Sequence, residues 1–297
     1  MNTLGIDIGG TFTKYAVVDE HDQILKKWKK ETKLFQDKDE FYDYLCEGLE
    51  TGDIDCVGIS APGVLAPDST IISKAAPNVQ IMYGTNVNEE FQKRMQISVS
   101  ALNDAKCAGL CEMKLGNGKG TQSSAYFVIG TGVGGCICND HEVITGVNCV
   151  SGEFSQLPIG YYEDEPNRLK RLSDIASMTS LIDIYNEKAG DDKQVTYGEE
   201  VTDLYHQGDA AAIEAMEEWC KNVIWGLYTV IIFYNPEVIC IGGGISKEDW
   251  FIDKIRDMME HTVQHDFQDI ITTRIDRCMY DNDANLLGAV LYARSRK

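Results

Sequence analysis

Stretches of bare backbone at strand ends constrain this chain more than anything else in it, and the first is Asp7-Ile8-Gly9-Gly10-Thr11. A short apolar run, Leu4 to Ile8, precedes it, and alternation resumes through Tyr15, Val17 and Asp19. Two strands joined over Gly-Gly predict a tight hairpin, because glycine reaches the positive φ angles of primed turns. A plain hairpin needs neither an Asp buried at the end of its first strand nor a Thr after the turn. Together these offer a carboxylate able to hold hydrated Mg2+, uncovered N–H groups and a hydroxyl, a cradle for a nucleotide's phosphates. Standing alone, the motif reads better as an ordinary hairpin with a satisfied Asp.

It does not stand alone. Ala125 to Ile129 leads into Gly130-Thr131-Gly132-Val133-Gly134-Gly135 and on through Cys136-Ile137-Cys138. A dinucleotide fingerprint needs a helix after its glycines, whereas here the strand pattern continues to a turn near Asn139-Asp140. A second phosphate hairpin facing the first fits better. The third stretch is Val238-Ile239-Cys240-Ile241 ending in Gly242-Gly243-Gly244, with Ser246 placed to cap a helix over about Trp250–His261. Bare glycines there either let a flat base and ribose lie on the backbone or permit a sterically tight strand–helix turn; both readings stay open. The loop Gly116-Asn117-Gly118-Lys119-Gly120 is no Walker A loop, because glycine follows its lysine and none stands five residues before Gly118.

Between these stretches the pattern predicts a strand over 23–31 with lysines on an exposed edge, then a helix over 37–50 capped by Asp37. A strand over Cys56–Ser60 runs into Ala61-Pro62-Gly63. A helix over 86–96, a strand over 97–102 ending at Asn103-Asp104, and a helix over 105–115 follow. A long helical pattern occupies 209–234 and Pro236 stops it; a last helix over 283–294 carries Ala and Gly on one side. Residues 151–208 are the least legible, with an acidic loop at 163–166 and short helices around 175–185. A meander followed by α/β alternation predicts a mixed sheet covered by helices.

At 297 residues the chain can form one large or two medium domains. Its net charge of −20 opposes binding to nucleic acid or anionic membrane, whose phosphates need Lys and Arg. The ten cysteines are scattered without a CxxC pair, many inside apolar runs. Buried free thiols in a reducing cytoplasm explain that better than disulfides or zinc. No basic-then-apolar leader opens the sequence, and the longest apolar run, 223–234, is too short to cross a bilayer, so the expectation is a cytoplasmic protein.

Taken in order, Asp7–Thr11, Ser60–Gly63, Pro77-Asn78, Asn103-Asp104-Ala105, Gly130–Gly135, Ser151-Gly152-Glu153 and Asn235-Pro236 through Gly244 resemble the ROK family of sugar kinases over nearly the whole chain. The resemblance implies an α/β, two-domain actin-like ATPase (ribonuclease H-like) fold with an interdomain cleft. A small domain, 1–104, would be joined by the C-terminal helix 284–297, and a larger one would span 105–283. ATP and a sugar would meet in the cleft, whose closure excludes water. Family members are commonly dimers, so a homodimer is expected, and some carry an N-terminal DNA-binding extension. This sequence begins directly with its first strand, which with the charge leaves no expected nucleic-acid or membrane partner.

Roles follow from the same resemblance. Asp104 matches the general base for the sugar's primary hydroxyl, although Asp at that point also suits a helix N-cap. Asn103, Asn78, Glu153 and Gly63 match the sugar side. Gly9, Gly10, Thr11, Gly130, Thr131 and Gly132 would surround the phosphates, Gly243 and Gly244 would border the adenosine, and Asp7 would hold Mg2+ through water. Lys14 either faces the phosphates or is an exposed strand lysine.

The chain departs from the family where many members place a His, a cysteine-rich zinc loop and a second sugar-binding Glu. Gln156 stands at the His position, no cysteine lies between Cys149 and Cys220, and Ser173 falls where the second Glu aligns. A structural zinc site cannot be built from these residues. The missing groups serve C1 and C2 of the sugar, so the altered end suits a β-glucoside such as cellobiose or N-acetylmannosamine better than free glucose. The spacing Gly-Gly-Thr-Phe-Thr-Lys-Tyr favours the β-glucoside. A glucokinase or fructokinase of the same family is a further alternative, and a catalytically idle sugar sensor is the alternative of another class.

Overall fold

The computed structural model describes residues 2–74, 77–190, 193–262, 267 and 269–297. The chain forms two compact units, one of Met1–Lys119, His141–Ser151 and Tyr280–Lys297, the other of Gly120–Asp140 and Gly152–Met279.

The first unit opens with an antiparallel meander, β1 (Asn2–Ile8), β2 (Phe12–Val18) and β3 (Ile24–Glu31). After α1 (Lys38–Cys46) the chain returns as β4 (Ile54–Ala61), parallel to β1; after α2 (Val87–Met95) it returns as β5 (Val99–Asn103), parallel to β4. The sheet order is β3-β2-β1-β4-β5, and α3 (Asp104–Lys114) leaves directly from β5. Asp37 caps α1 as its spacing predicts, accepting from the Glu40 N–H. That helix ends at Cys46, short of the expected 50, because Gly48 turns the backbone out at φ +75°. β3 is an edge strand, and Lys26, Lys27 and Lys29 on it are exposed.

The second unit starts with β6 (Ser123–Ile129) and β7 (Val133–Asn139), an antiparallel hairpin. A two-residue strand, β8 (Glu142–Val143), lies in the segment belonging to the first unit. Back in the second unit come a small hairpin of β9 (Pro158–Tyr161) and β10 (Leu169–Arg171), then α4 (Ser173–Ala176), α5 (Met178–Ala189) and α6 (Gly198–His206). The long α7 (Ala210–Tyr234) is capped by Asp209 and ends at Asn235 in the left-handed conformation. β11 (Val238–Gly243) pairs parallel with β6 on one side and with β12 (Arg274–Arg277) on the other, and α8 (Asp249–Thr262) connects them. Ser246 does not cap α8. It lies in a 3-10 turn, Gly244–Lys247, where its hydroxyl donates to the Gly243 carbonyl at 2.8 Å, and α8 begins at Asp249.

The closing helix, α9 (Ala284–Ser295), lies in the first unit. Its small residues have a steric reason. A Cβ on Gly288 would stand 1.8 Å from the Cys107 carbonyl oxygen, and one on Gly58 of β4 would stand 2.0 Å from that of Ala289. The helix therefore meets α3 and β4 backbone to backbone. Arg294 fixes its far end, donating to Thr3, Asp22 and the carbonyls of Val18 and Asp19. Among the described residues no helix is long and apolar enough to cross a membrane.

Candidate active site

In a parallel sheet the carboxyl ends of the strands carry the chemistry, because side chains there are held firmly yet look outward. In the first unit β1 ends at Asp7-Ile8, β4 at Ser60-Ala61 and β5 at Asn103. Asp7 is only 4% exposed. Its Oδ1 accepts from the Ser60 hydroxyl at 2.8 Å and the Asn285 amide of α9 at 3.1 Å; its Oδ2 lies 3.3 Å from Lys14 Nζ. Asp7 and Lys14 are direct cross-strand partners, so Lys14, which sequence left between two roles, balances the Asp7 charge. Ser60 and Asn285 were not foreseen as partners of Asp7. The signal for Asn285 was out of reach in sequence, since it enters from the far end of the chain.

The loop beyond β1 differs from the expected hairpin. Ile8 pairs with Thr13, so Gly9-Gly10-Thr11-Phe12 forms a four-residue loop, closed by the Gly9 N–H on the Phe12 carbonyl at 3.2 Å. Gly9 does not lie in the left-handed φ region. The requirement at Gly9 is steric, because a Cβ would stand 2.8 Å from the Phe12 oxygen. Two braces hold the loop: the Thr32 N–H donates to the Thr11 carbonyl at 2.9 Å, and Asn78 Nδ2 donates to the Gly10 carbonyl at 3.0 Å. Thr11 itself is exposed.

At the end of β5, Asn103 is the N-cap of α3, with its Oδ1 accepting from the Lys106 N–H at 3.1 Å. The capping role that competed for Asp104 therefore belongs to its neighbour. Asp104 is half-buried at the first helical position, where its Oδ1 accepts from Asn103 Nδ2 at 2.9 Å and from the Ala105 N–H at 2.7 Å. The same Asn103 amide donates to the Gly63 carbonyl at 2.9 Å, which joins the turn after β4 to the start of α3. Gly63 sits at φ +83°, where its missing Cβ leaves room for Ser73. Lys106, unforeseen, is 2% exposed and donates to the Cys149 carbonyl at 2.6 Å.

In the second unit, Ile129 pairs with Val133 across a short loop, Gly130-Thr131-Gly132. A strand follows the glycines, as the sequence indicated. The Met178 N–H donates to the Gly130 carbonyl at 2.9 Å, the Thr179 hydroxyl to the Thr131 carbonyl at 2.8 Å, and the Ser173 hydroxyl accepts from the Val133 N–H at 3.1 Å. The loop thus rests on the starts of α4 and α5. β11 ends beside it. Gly243, at φ +101°, would place a Cβ 1.9 Å from the Ile129 carbonyl oxygen. Gly135 is equally constrained, because the Gly152 carbonyl oxygen and the Phe154 ring occupy the space of its Cβ. That contact seats the segment carrying half-buried Glu153 on β7. Gln156 is exposed, and its amide donates to Ser155 Oγ at 3.1 Å.

Gly244 and Gly130 differ from their neighbours. A Cβ on Gly244 would meet nothing within 4 Å, and one on Gly130 nothing closer than 3.8 Å. Packing does not demand glycine at either place, so the bareness leaves open space beside backbone N–H groups. These residues fit a nucleotide, and the buried Asp7 with its paired cation fits a site that takes Mg2+ through water.

Sheets with a β-meander and parallel continuation, each ending in glycine loops, define the actin-like ATPase fold. The chain belongs to the ROK family, whose model matches residues 3–296. A β-glucoside kinase from Listeria monocytogenes is 29% identical, covering 98% of this chain and 97% of its own. The N-acetylgalactosamine kinase AgaK of Shewanella sp. strain ANA-3 is 26% identical over 97% and 95% of the two chains. A solved ROK family protein from Streptococcus pneumoniae, in complex with sucrose, superposes with a TM-score of 0.87 at 26% identity, over 100% of this chain and 99% of that one.

Proposed function

We propose that this ROK protein is an ATP-dependent sugar kinase that phosphorylates the 6-hydroxyl of a hexose or hexoside, with a β-glucoside as acceptor. The observation that carries the reading is the division of labour at the end of β5. Asn103 caps the helix, and Asp104 is held by two donors on one oxygen instead of serving as the cap. A carboxylate so oriented suits a general base: it takes the proton as the acceptor oxygen attacks, and returns it to solvent after transfer. Asn103 is then a positioning residue for the base and, with Gly63, Glu153 and Gln156, part of the acceptor side. Gly9, Gly10, Thr11, Gly130, Thr131 and Gly132 present backbone N–H groups to phosphates, and Gly243 with Gly244 borders the adenosine. Asp7 would hold Mg2+ through its water. Magnesium ATP, when bound, supplies the phosphoryl group and neutralises the charge that its transfer develops.

The acceptor assignment rests on the end of the site that lacks the family's zinc loop. Ser173 is short and its hydroxyl is committed to Val133; the Gln156 amide is turned to Ser155. Neither supplies the charged hydrogen bonds that discriminate a free C1 hydroxyl, which favours an acceptor with bulk there. The β-glucoside kinase relative supports that choice, while the AgaK relative keeps an N-acetylhexosamine as the second reading. We take the enzyme to work as a cytoplasmic homodimer that needs no zinc. A coupled ADP-release assay with Mg-ATP over glucose, cellobiose, gentiobiose, N-acetylmannosamine and fructose tests the proposal. Cellobiose or gentiobiose should give the highest kcat/KM; a preference for N-acetylmannosamine replaces the acceptor, and no release with any sugar leaves the sensor.

A further inference from the structure

Asn78 matches a sugar ligand by sequence, yet both hydrogens of its side-chain amide are engaged elsewhere. Nδ2 donates to the Gly10 carbonyl at 3.0 Å and to the Thr32 carbonyl at 3.1 Å, which accounts for both of its hydrogens. Thr32 in turn donates its N–H to Thr11, and its hydroxyl meets that of Thr13 at 3.0 Å. Loop 9–12 is therefore clamped between the end of β3 and a side chain more than sixty positions downstream.

Asn78 stands in a 3-10 turn, Pro77–Met82, of the strap that runs from Gly63 to α2. The other end of that strap is tied to the base. Asn103 donates to the Gly63 carbonyl, Gly63 packs on Ser73, and the Val64 N–H donates to Ser73 Oγ at 2.8 Å. Ile72 closes back on the Val64 carbonyl at 2.9 Å. Hydrogen bonds thus run from Asn103, beside Asp104, to the Gly63–Ser73 turn, and Asn78 carries the same strap onto the first glycine loop.

We propose that Asn78 is a positioning residue for the nucleotide loop, and that through it the acceptor-side strap sets the geometry of Gly9–Phe12. The inference rests on the kinase reading for what the loop binds, but the strut itself does not depend on it. A loop rich in glycine has many conformations to lose, so a fixed donor on Gly10 pre-organises its N–H groups before a phosphate arrives.

The test compares the unaltered protein with Asn78→Ala and with Asn78→Asp, which keeps the shape but removes both donors. In the nucleotide-free proteins, hydrogen exchange at the Gly9 and Thr32 amides, which donate to Phe12 and Thr11, should quicken about tenfold in both variants while the amides of β4 and β5 stay protected. Calorimetry with Mg-ADP should show about tenfold weaker binding, and KM for ATP should rise more than KM for the best sugar of the panel. Unchanged exchange, or a sugar KM that rises as much as or more than the ATP KM, overturns the proposal and returns Asn78 to the acceptor. Failure of the unaltered protein to bind Mg-ADP would instead sink the nucleotide reading, and the exchange experiment would still judge the strut.

Discussion

Asn103 and Asp104 are neighbours of similar shape that do different work, and the difference lies in one backbone position. At the N-cap a side chain turns back onto the N–H two or three residues into the helix; one residue later it has no such capping bond to make. Asn103 takes the first place with its Oδ1 on Lys106, and so leaves Asp104 to be aimed by two donors. Sequence named both residues but could not divide the roles, since Asn and Asp cap about equally well. The glycines divide in a similar way. Gly243 is demanded by the Ile129 carbonyl, whereas Gly244 has space around its missing Cβ, and sequence alone could not tell the tight one from the open one. Gly244→Val should accordingly fold with an unchanged melting temperature yet raise KM for ATP about tenfold, because the side chain would occupy the proposed nucleotide space. A drop in melting temperature with an unchanged KM would make Gly244 a packing residue.

Elements with strong periodicity were legible because their pattern and their caps agree: α2 with Asn86, α7 with Asp209, and the hairpin of β6 and β7. Residues 151–208 were not, and the packing shows why. Leu172, Leu181, Tyr185 and Val201 are essentially buried and join a core built with α7, so these short elements take their places through contacts with residues distant in sequence, which a local pattern does not reveal. The first hairpin failed differently. Gly-Gly suggested a primed two-residue turn, but the register places four residues in the loop and the glycine serves close approach to Phe12. At α9 the Ala and Gly side was read correctly as a face, though its purpose appears only with α3 beside it. Gly288→Ala should destabilise the first unit by about 2–3 kcal/mol, since the new methyl meets backbone that cannot rotate away. Denaturant unfolding would measure it; a change within error would mean that α9 can slide.

Across the whole molecule, composition restricted function more than it restricted fold. A net charge of −20 argues against polyanion binding without disturbing a phosphate site, where local N–H groups and a metal outweigh the global field. Most of the ten cysteines are buried, and burial pushes the Cys220 thiol up to about 12, so these sulfurs act as small apolar side chains. The resemblance in sequence, the family match over 3–296 and the fold agree on a ROK protein, while the proposed acceptor rests on a few polar groups near Ser173 and Gln156. The central claim is that Asp104 draws the proton from the acceptor hydroxyl, and replacing it by its own neutral isostere isolates that act. With Mg-ATP and the preferred sugar, Asp104→Asn should lower kcat by about 10²–10⁴-fold while calorimetry finds sugar affinity within a few-fold of the unaltered protein. Equal turnover by the two proteins would contradict the account.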